Sequence, residues 1–170
     1  MGHNEFMRRL GLLALALFMA VPVVTAGAAG RDPGLPNPTL TPGATNPAVR
    51  QSNIFQTICV SGYTSTIRPP ESYTQNLKYR QLDSGYNYQG DTNARDYEED
   101  HQIPLEVGGS PTSVKNLWPE PRYVTWGASR KDVLENKIHS LVCSGQMSLA
   151  QGQRIFQTNW IPWYQRYYGN

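Results

Sequence analysis

Two adjacent residues near the middle of the chain, Asp100 and His101, are of types that can carry out hydrolytic chemistry together. A histidine, with an unperturbed pKa of about 6.5, is largely neutral at physiological pH and can take a proton from water. A carboxylate beside it can hold a hard divalent cation such as Mg²⁺ through oxygen. A phosphodiester needs both an activated water and a cation for hydrolysis, because its negative charge repels nucleophiles. The pair therefore predicts metal-assisted attack on a phosphate ester.

The position of this pair on a predicted strand sets a geometric condition. Consecutive side chains on a strand point to opposite sides, so Asp100 and His101 can face one site only if the strand ends or bulges there. Pro104 follows closely and makes such an end expected. Each residue also has a simpler interpretation: His101 as a partly buried structural histidine, and Asp100 as a solvated acid in a run with Glu98 and Glu99.

Longer motifs surround the pair. Residues 97–120 contain D-H-Q-I-P-L-E-V-G-G and then N-L-W-P-E, with I-C-V-S-G-Y-T upstream and K-D-V-L-E-N-K-I-H downstream. These motifs resemble the HNH endonuclease family, especially its small exported bacterial members. The resemblance covers most of the chain after Ile54. It implies an α+β fold in which a ββα-metal hairpin and helix form the core, with flanking helices.

The resemblance also implies a role for each motif residue. His101 matches the general base, Asp100 the metal ligand before it, and Asn116 the residue that bonds to the backbone and keeps the histidine oriented. The implied activity is hydrolysis of phosphodiester bonds in DNA, with RNA as an alternative, by an endonuclease of little sequence specificity. The implied cofactor is one divalent metal, Mg²⁺ in the first place, with Mn²⁺ or Zn²⁺ as alternatives, and the chain is expected to be a monomer.

The helix after the hairpin is expected to complete the metal site, but its ligand is ambiguous. On a helical wheel, Lys131 and Glu135 border the apolar face centred on Leu134 and Ile138, whereas Asn136 lies almost opposite. We therefore select Glu135, although a Lys131–Glu135 surface pair is nearly as well supported. The candidates weighed for this ligand are Asp132, Glu135, Asn136 and His139.

Substrate contacts are predicted from basic and aromatic residues around the motif. Lys131, Arg95 and Arg130 are selected for phosphate contacts, although each is equally explained as a surface charge. Tryptophans and tyrosines near the motif can stack on bases, but core packing is their commoner use. The aromatic candidates are Tyr86, Tyr88, Trp118 and Trp126.

Hydrophobic periodicity and turn residues predict the elements that must position these groups. A capping-box pattern at Ser148 and Gln151 marks the start of the last predicted helix, and the aromatic tail at 160–168 is expected to pack on the core. Strands are predicted at 54–60, 97–105 and 116–118, and helices at 71–82, 129–142 and 148–159.

The first 52 residues are predicted to lie outside the folded domain, which spans 53–170. Arg8 and Arg9 precede an apolar run over 10–20, which is typical of a signal peptide at 1–29. That run is shorter than the roughly 20 residues that a membrane span needs, so a permanent anchor is the less favoured alternative. Residues 30–52 are rich in proline and are predicted to be an extended linker.

Export determines how the cysteines are interpreted. In an oxidising compartment Cys59 and Cys143 are expected to form a disulfide, worth on the order of 4 kcal/mol in the chain-entropy model. Two buried free thiols are the alternative. We therefore expect a secreted or periplasmic protein without stable membrane association after cleavage of the signal.

The composition of the chain does not by itself identify a binding partner. A chain of 170 residues suits one domain, and a net charge of +2 with pI near 8.6 is only a mild basic bias. Two rivals to this function remain. One is an exported binding or envelope-associated protein with a catalytically inactive HNH scaffold. The other is a toxin-like effector nuclease, for which the sequence shows no delivery module or immunity region.

Overall fold

The computed structural model describes residues 32–170, which form a mixed α+β structure with five α-helices and one two-stranded antiparallel sheet. The predicted signal peptide at 1–29 lies outside the described residues. Within this part of the chain no helix is both long and apolar enough to cross a membrane. The elements are α1 (Tyr63–Ile67), α2 (Glu71–Gln81), β1 (Tyr97–His101), β2 (Leu117–Pro121), α3 (Ala128–Cys143), α4 (Leu149–Thr158) and α5 (Ile161–Tyr168).

Strands β1 and β2 form the hairpin that carries the motif. Their register pairs Tyr97 with Pro121 and His101 with Leu117. The first strand ends at His101, earlier than predicted, whereas the second continues past its predicted end at residue 118, through Pro119 and Pro121. Proline is tolerated here because each strand of a two-stranded sheet has one edge that needs no hydrogen-bond donor.

The apolar face of helix α3 that the sequence predicted packs in the core, against the loop between β1 and β2 and against α4 and α5. Leu134, Ile138 and Val142 are completely buried and join one core with residues of α4 and α5. The predicted capping box is present at the start of α4, where Ser148 and Gln151 bond each other's backbone N–H groups. The aromatic tail forms α5, and Trp160 just before it is buried in the core, as expected.

The predicted strand at 54–60 is wrong. Residues Gln51–Gln56 form a 3₁₀ helix, followed by turns. Ile54 and Ile58, four residues apart, are both buried in the core. The error arises because a short apolar run does not by itself distinguish a strand from a helical segment.

The proline-rich segment predicted as a linker is packed on the domain over its described part, residues 32–52. Val49 belongs to the core, and the backbone N–H of Gly43 donates to the carbonyl of Lys115 over 2.9 Å. The N–H of Asn46 likewise donates to the carbonyl of Gly108 over 2.8 Å. Such a segment needs no apolar periodicity of its own, because its backbone bonds to the hairpin loop instead.

The predicted disulfide is present. Cys59 and Cys143 are bonded, with their Cα atoms 5.6 Å apart. The bond connects the turns after the 3₁₀ helix to the last residue of α3, so it holds the helix that lies beside the hairpin.

Candidate metal and hydrolytic site

A buried lysine lies at the centre of the interface between the hairpin and α3. Lys131 has no exposed surface, and its ammonium donates to Oδ2 of Asp100 at 2.5 Å and to Oε1 of Glu135 at 2.6 Å. It also donates to the backbone carbonyl of His101 at 2.8 Å. A third carboxylate, that of fully buried Glu120, has an oxygen 3.8 Å from the same ammonium. We call these four side chains, Lys131, Asp100, Glu120 and Glu135, the charge cluster.

The charge cluster contains more acid than base. Burial raises the pKa of Glu120 well above its usual range and that of Glu135 to about 8. Burial also opposes ionisation of Asp100, but the nearby ammonium outweighs it and holds the pKa of this carboxyl below its usual range. The three carboxylates together raise the pKa of Lys131 against the effect of its burial. One ammonium thus balances one carboxylate, and the remaining acid must be neutralised by protons or by a further cation.

Three carboxylates at the edge of the charge cluster form a set of possible metal ligands. An oxygen from each of Asp100, Asp132 and Glu135 lies within 4.8 Å of the other two. All three are hard oxygen ligands of the kind that Mg²⁺ and Mn²⁺ prefer. Lys131 uses only one oxygen of Asp100 and one of Glu135, and it makes no hydrogen bond to Asp132. The donor set and the surplus acid therefore fit a divalent cation.

His101 leaves β1 in a different direction from Asp100. The carboxylate contacts α3, whereas the imidazole lines a cleft bordered by α2, with Nε2 3.0 Å from the carbonyl oxygen of Pro111. Because a carbonyl only accepts, Nε2 carries the proton and Nδ1 has the free lone pair. Burial lowers the pKa of His101, although the charge of Asp100 opposes this. The neutral ring thus lies on the α2 side of β1, whereas the donor set lies on the α3 side.

Asn116 fixes the loop that holds this imidazole. Its amide nitrogen donates to the carbonyls of Ile103 and Ser110, each at 3.0 Å, and its oxygen accepts from the N–H groups of Ile103 at 2.9 Å and Ala44 at 3.2 Å. All four partners are backbone groups, and Ser110 precedes Pro111, whose carbonyl meets the histidine. The side chain thus bonds backbone groups on both sides of the loop, and its role in orienting His101 stays a prediction.

The cleft beside His101 has a volume of about 300 Å³ and a mixed charge. Burial raises the pKa of Glu99 to about 8, and neither of its carboxylate oxygens has a hydrogen-bond partner within residues 32–170. Arg122 is paired with Glu98 at 2.8 Å. The charged residues that line the cleft are Arg68, Lys78, Arg122, Glu71, Glu98 and Glu99.

The residues predicted to contact substrate phosphate are not gathered at this cleft. Arg95 is exposed on a turn before β1 and does not line it. Arg130 places its guanidinium 4.8 Å from the ring centre of Trp126 and 5.7 Å from that of Tyr164. Lys131 points inward but is enclosed by carboxylates, so its ammonium has no open path to a phosphate.

Two of the candidate helix ligands lie away from the donor set. Asn136 is exposed and donates to the backbone carbonyl of Asp132 at 3.0 Å. His139 is one turn further along α3, where its Nε2 lies 2.9 Å from the carbonyl oxygen of Ile58. Glu135, which the sequence favoured, and Asp132, which it left open, are the two that meet Asp100.

Sequence reasoning missed Glu120 and Lys78. The hairpin register places Glu120 opposite Glu98, diagonal to Asp100, so a known register would have revealed its proximity. Lys78 comes from α2, which is distant in sequence, and no local pattern connects it to His101.

Comparisons of this chain with protein-family models, curated proteins and solved structures found no match. The family resemblance therefore continues to depend on the motifs themselves, and the family stays a prediction.

Proposed function

We propose that the protein is a divalent-metal-dependent endonuclease of the HNH type, which hydrolyses phosphodiester bonds in DNA, or in RNA, with little sequence specificity. The observation that carries this proposal is the meeting of Asp100, from the end of β1, with Asp132 and Glu135 of α3, while the next residue, His101, presents a neutral imidazole. Asp100 thus lies where β1, β2 and α3 come together, which supports the ββα-metal prediction.

The proposed division of labour assigns the cation to Asp100, Asp132 and Glu135. Once bound there, a divalent metal supplies positive charge against the charge that develops on the phosphate. His101 takes the proton of the attacking water on Nδ1, while the bond from Nε2 to the Pro111 carbonyl keeps the ring oriented. Asn116 keeps the Pro111 carbonyl in position, because its side chain donates to the backbone carbonyl of the preceding residue, Ser110.

One observation favours the rival function of an exported binding or envelope-associated protein. The ammonium of Lys131 already serves as a cation for Asp100 and Glu135, so the carboxylates are partly satisfied without metal. Under this alternative the ammonium of Lys131 neutralises the carboxylates and stabilises the fold without a metal, and the protein does not hydrolyse phosphodiesters.

A plasmid-nicking assay separates the two functions. We expect the purified protein to nick supercoiled DNA in the presence of Mg²⁺ or Mn²⁺. Nicking should stop when EDTA is added. His101→Ala should reduce the rate by about 100-fold or more, since a general base contributes about 10²–10⁴. His139→Gln serves as the histidine control and should retain the rate. Cleavage that persists in His101→Ala removes this residue from its role, and an inactive wild type favours the binding protein.

The proposed location is secreted or periplasmic. The Cys59–Cys143 disulfide supports it, because such bonds persist in oxidising compartments.

A further inference from the structure

A second group of metal-ligand side chains lies at the C-terminal end of α3, away from the charge cluster. Cys59, Cys143 and His139 each offer a ligand atom, and these atoms lie within 4.8 Å of one another. His139 and Cys143 are one helical turn apart on α3, and Cys59 is brought to them by the turns after the 3₁₀ helix. All three side chains are partly buried.

One ring nitrogen of His139 is held by the backbone, which leaves the other available to a metal. Its Nε2 lies 2.9 Å from the carbonyl oxygen of Ile58, so this nitrogen must donate and Nδ1 keeps a free lone pair in the neutral ring. A ring N–H bonded to a backbone carbonyl is the usual outer contact of a histidine that binds a metal. Ile58 is the neighbour of Cys59 in sequence, so the same stretch of backbone carries the cysteine sulfur and bonds the ring.

The group also has an open side. A surface cavity of about 400 Å³ is lined by Cys59 and His139, together with Glu106 and Asn136. A small reductant can reach Cys59 from this cavity, and a water can enter it as a fourth ligand. Two thiolates, one imidazole and one open position form a ligand set that suits Zn²⁺.

We propose that the reduced form of this chain binds one Zn²⁺ through Cys59, Cys143 and His139, so that a metal cross-link takes the place of the disulfide. A dithiol reductant breaks the Sγ–Sγ bond, gives two electrons and two protons to the sulfurs, and is itself oxidised to a disulfide. Zinc binding then releases the two thiol protons to solvent. The oxidised chain has no thiolate and does not form this site. The inference is independent of the nuclease proposal, because it involves other residues and needs no activity.

The experiment compares metal binding by the full chain in its two redox states. Co²⁺ is the probe, since thiolate ligation gives a charge-transfer band in the near ultraviolet and tetrahedral geometry gives intense visible bands. Zn²⁺ is then added to displace it. Any Co²⁺ held by carboxylates appears in both redox states, so only the difference reports the proposed site. We expect one thiolate-ligated Co²⁺ per reduced chain and none in the oxidised chain.

Substitution of the histidine tests the ligand set. His139→Gln keeps an amide that can donate to the Ile58 carbonyl but lacks the ring nitrogen. It should weaken Zn²⁺ binding by the reduced chain at least about tenfold, since loss of even an outer contact costs about 10- to 100-fold. Asn136→Ala, which alters the same cavity without removing a proposed ligand, should bind as the wild type does.

Circular dichroism of the reduced chain, with and without Zn²⁺, covers the case in which loss of the disulfide unfolds the protein. We then expect Zn²⁺ to restore helix content in the wild type and not in His139→Gln. The inference is overturned if the reduced chain shows no thiolate-ligated Co²⁺, or if His139→Gln binds and refolds as well as the wild type.

Discussion

The ammonium of Lys131 lies 2.5 Å from Oδ2 of Asp100, at the point where α3 meets the end of β1. The lysine is completely buried, so water contributes nothing to balancing its charge. A buried ion pair of this kind is sensitive to removal of either partner, because the remaining charge is left without compensation. The contact therefore links the stability of the domain to the occupancy of the proposed metal site.

Replacement of the buried lysine tests that link. Lys131→Met should lower the free energy of unfolding by about 3–5 kcal/mol in EDTA, since it leaves buried carboxylates unpaired. If the donor set holds a metal, Mg²⁺ should recover part of this loss. Urea denaturation measures both values, with exposed Lys115→Met as the control. A loss no larger than that of the control would contradict the structural role of the ion pair.

Removal of one helix carboxylate tests the donor set. Asp132→Asn should weaken Mn²⁺ binding at least about tenfold, because it removes a charged oxygen ligand. It should leave folding nearly unchanged, since Asp132 makes no hydrogen bond to Lys131. Isothermal titration calorimetry measures the affinity, and Asp83→Asn on the exposed surface is the matched control. Equal affinity in the two variants would exclude Asp132 as a ligand.

Truncation of Asn116 tests how the loop positions the imidazole. Asn116→Ala removes four bonds to backbone groups and should cost about 2–4 kcal/mol of stability, since buried backbone groups lose their partners. If the nuclease proposal holds, cleavage should also fall under conditions where the variant is still folded. Thermal denaturation and the nicking assay give the two results, with Asn136→Ala as the control. Full activity in a folded variant would show that the histidine does not depend on this loop.

The raised pKa of Glu99 predicts how the stability of the domain depends on pH. Burial raises its pKa from 4.5 to about 8, so the folded chain binds this proton more tightly than the unfolded chain does. Stability is therefore lost as the pH rises through the interval between these two values. Glu99→Gln should abolish that loss, so the variant should gain up to about 4 kcal/mol over the wild type at about pH 8 and little at about pH 4.5.

Urea denaturation at both pH values in EDTA measures the effect of Glu99→Gln. Glu98→Gln, which breaks an ion pair with Arg122, is the control and should show no such gain. A stability difference that does not change with pH would mean that Glu99 titrates normally in the folded chain.

Local patterns in the sequence were sufficient for the features that depend on near neighbours. The apolar face of α3 follows from helical spacing of Leu134 and Ile138, and the cap of α4 follows from Ser148 and Gln151. The disulfide could be predicted because the chain has two cysteines and an apparent export signal. Each prediction needed only residue type and separation.

Features that depend on packing partners distant in sequence were not predictable in the same way. The helical wheel placed Lys131 at the border of the apolar face, but whether its ammonium meets water or three carboxylates depends on the hairpin register. The strand predicted over Ile54 failed because its burial is set by α3 and α4 and not by alternation along its own segment. Proline content similarly concealed that residues 32–52 bond to the hairpin loop.

The contact between Ala44 and Asn116 limits how far the chain can be shortened without loss of stability. A truncated protein that begins at residue 53, where the sequence places the domain boundary, would lack the N–H that the Asn116 side chain accepts and the Val49 side chain that fills the core. Trimming the proline-rich stretch to aid crystallisation or recombinant expression would thus weaken the loop whose Pro111 carbonyl bonds to the imidazole of His101. A fragment that retains residue 32 onward keeps both contacts.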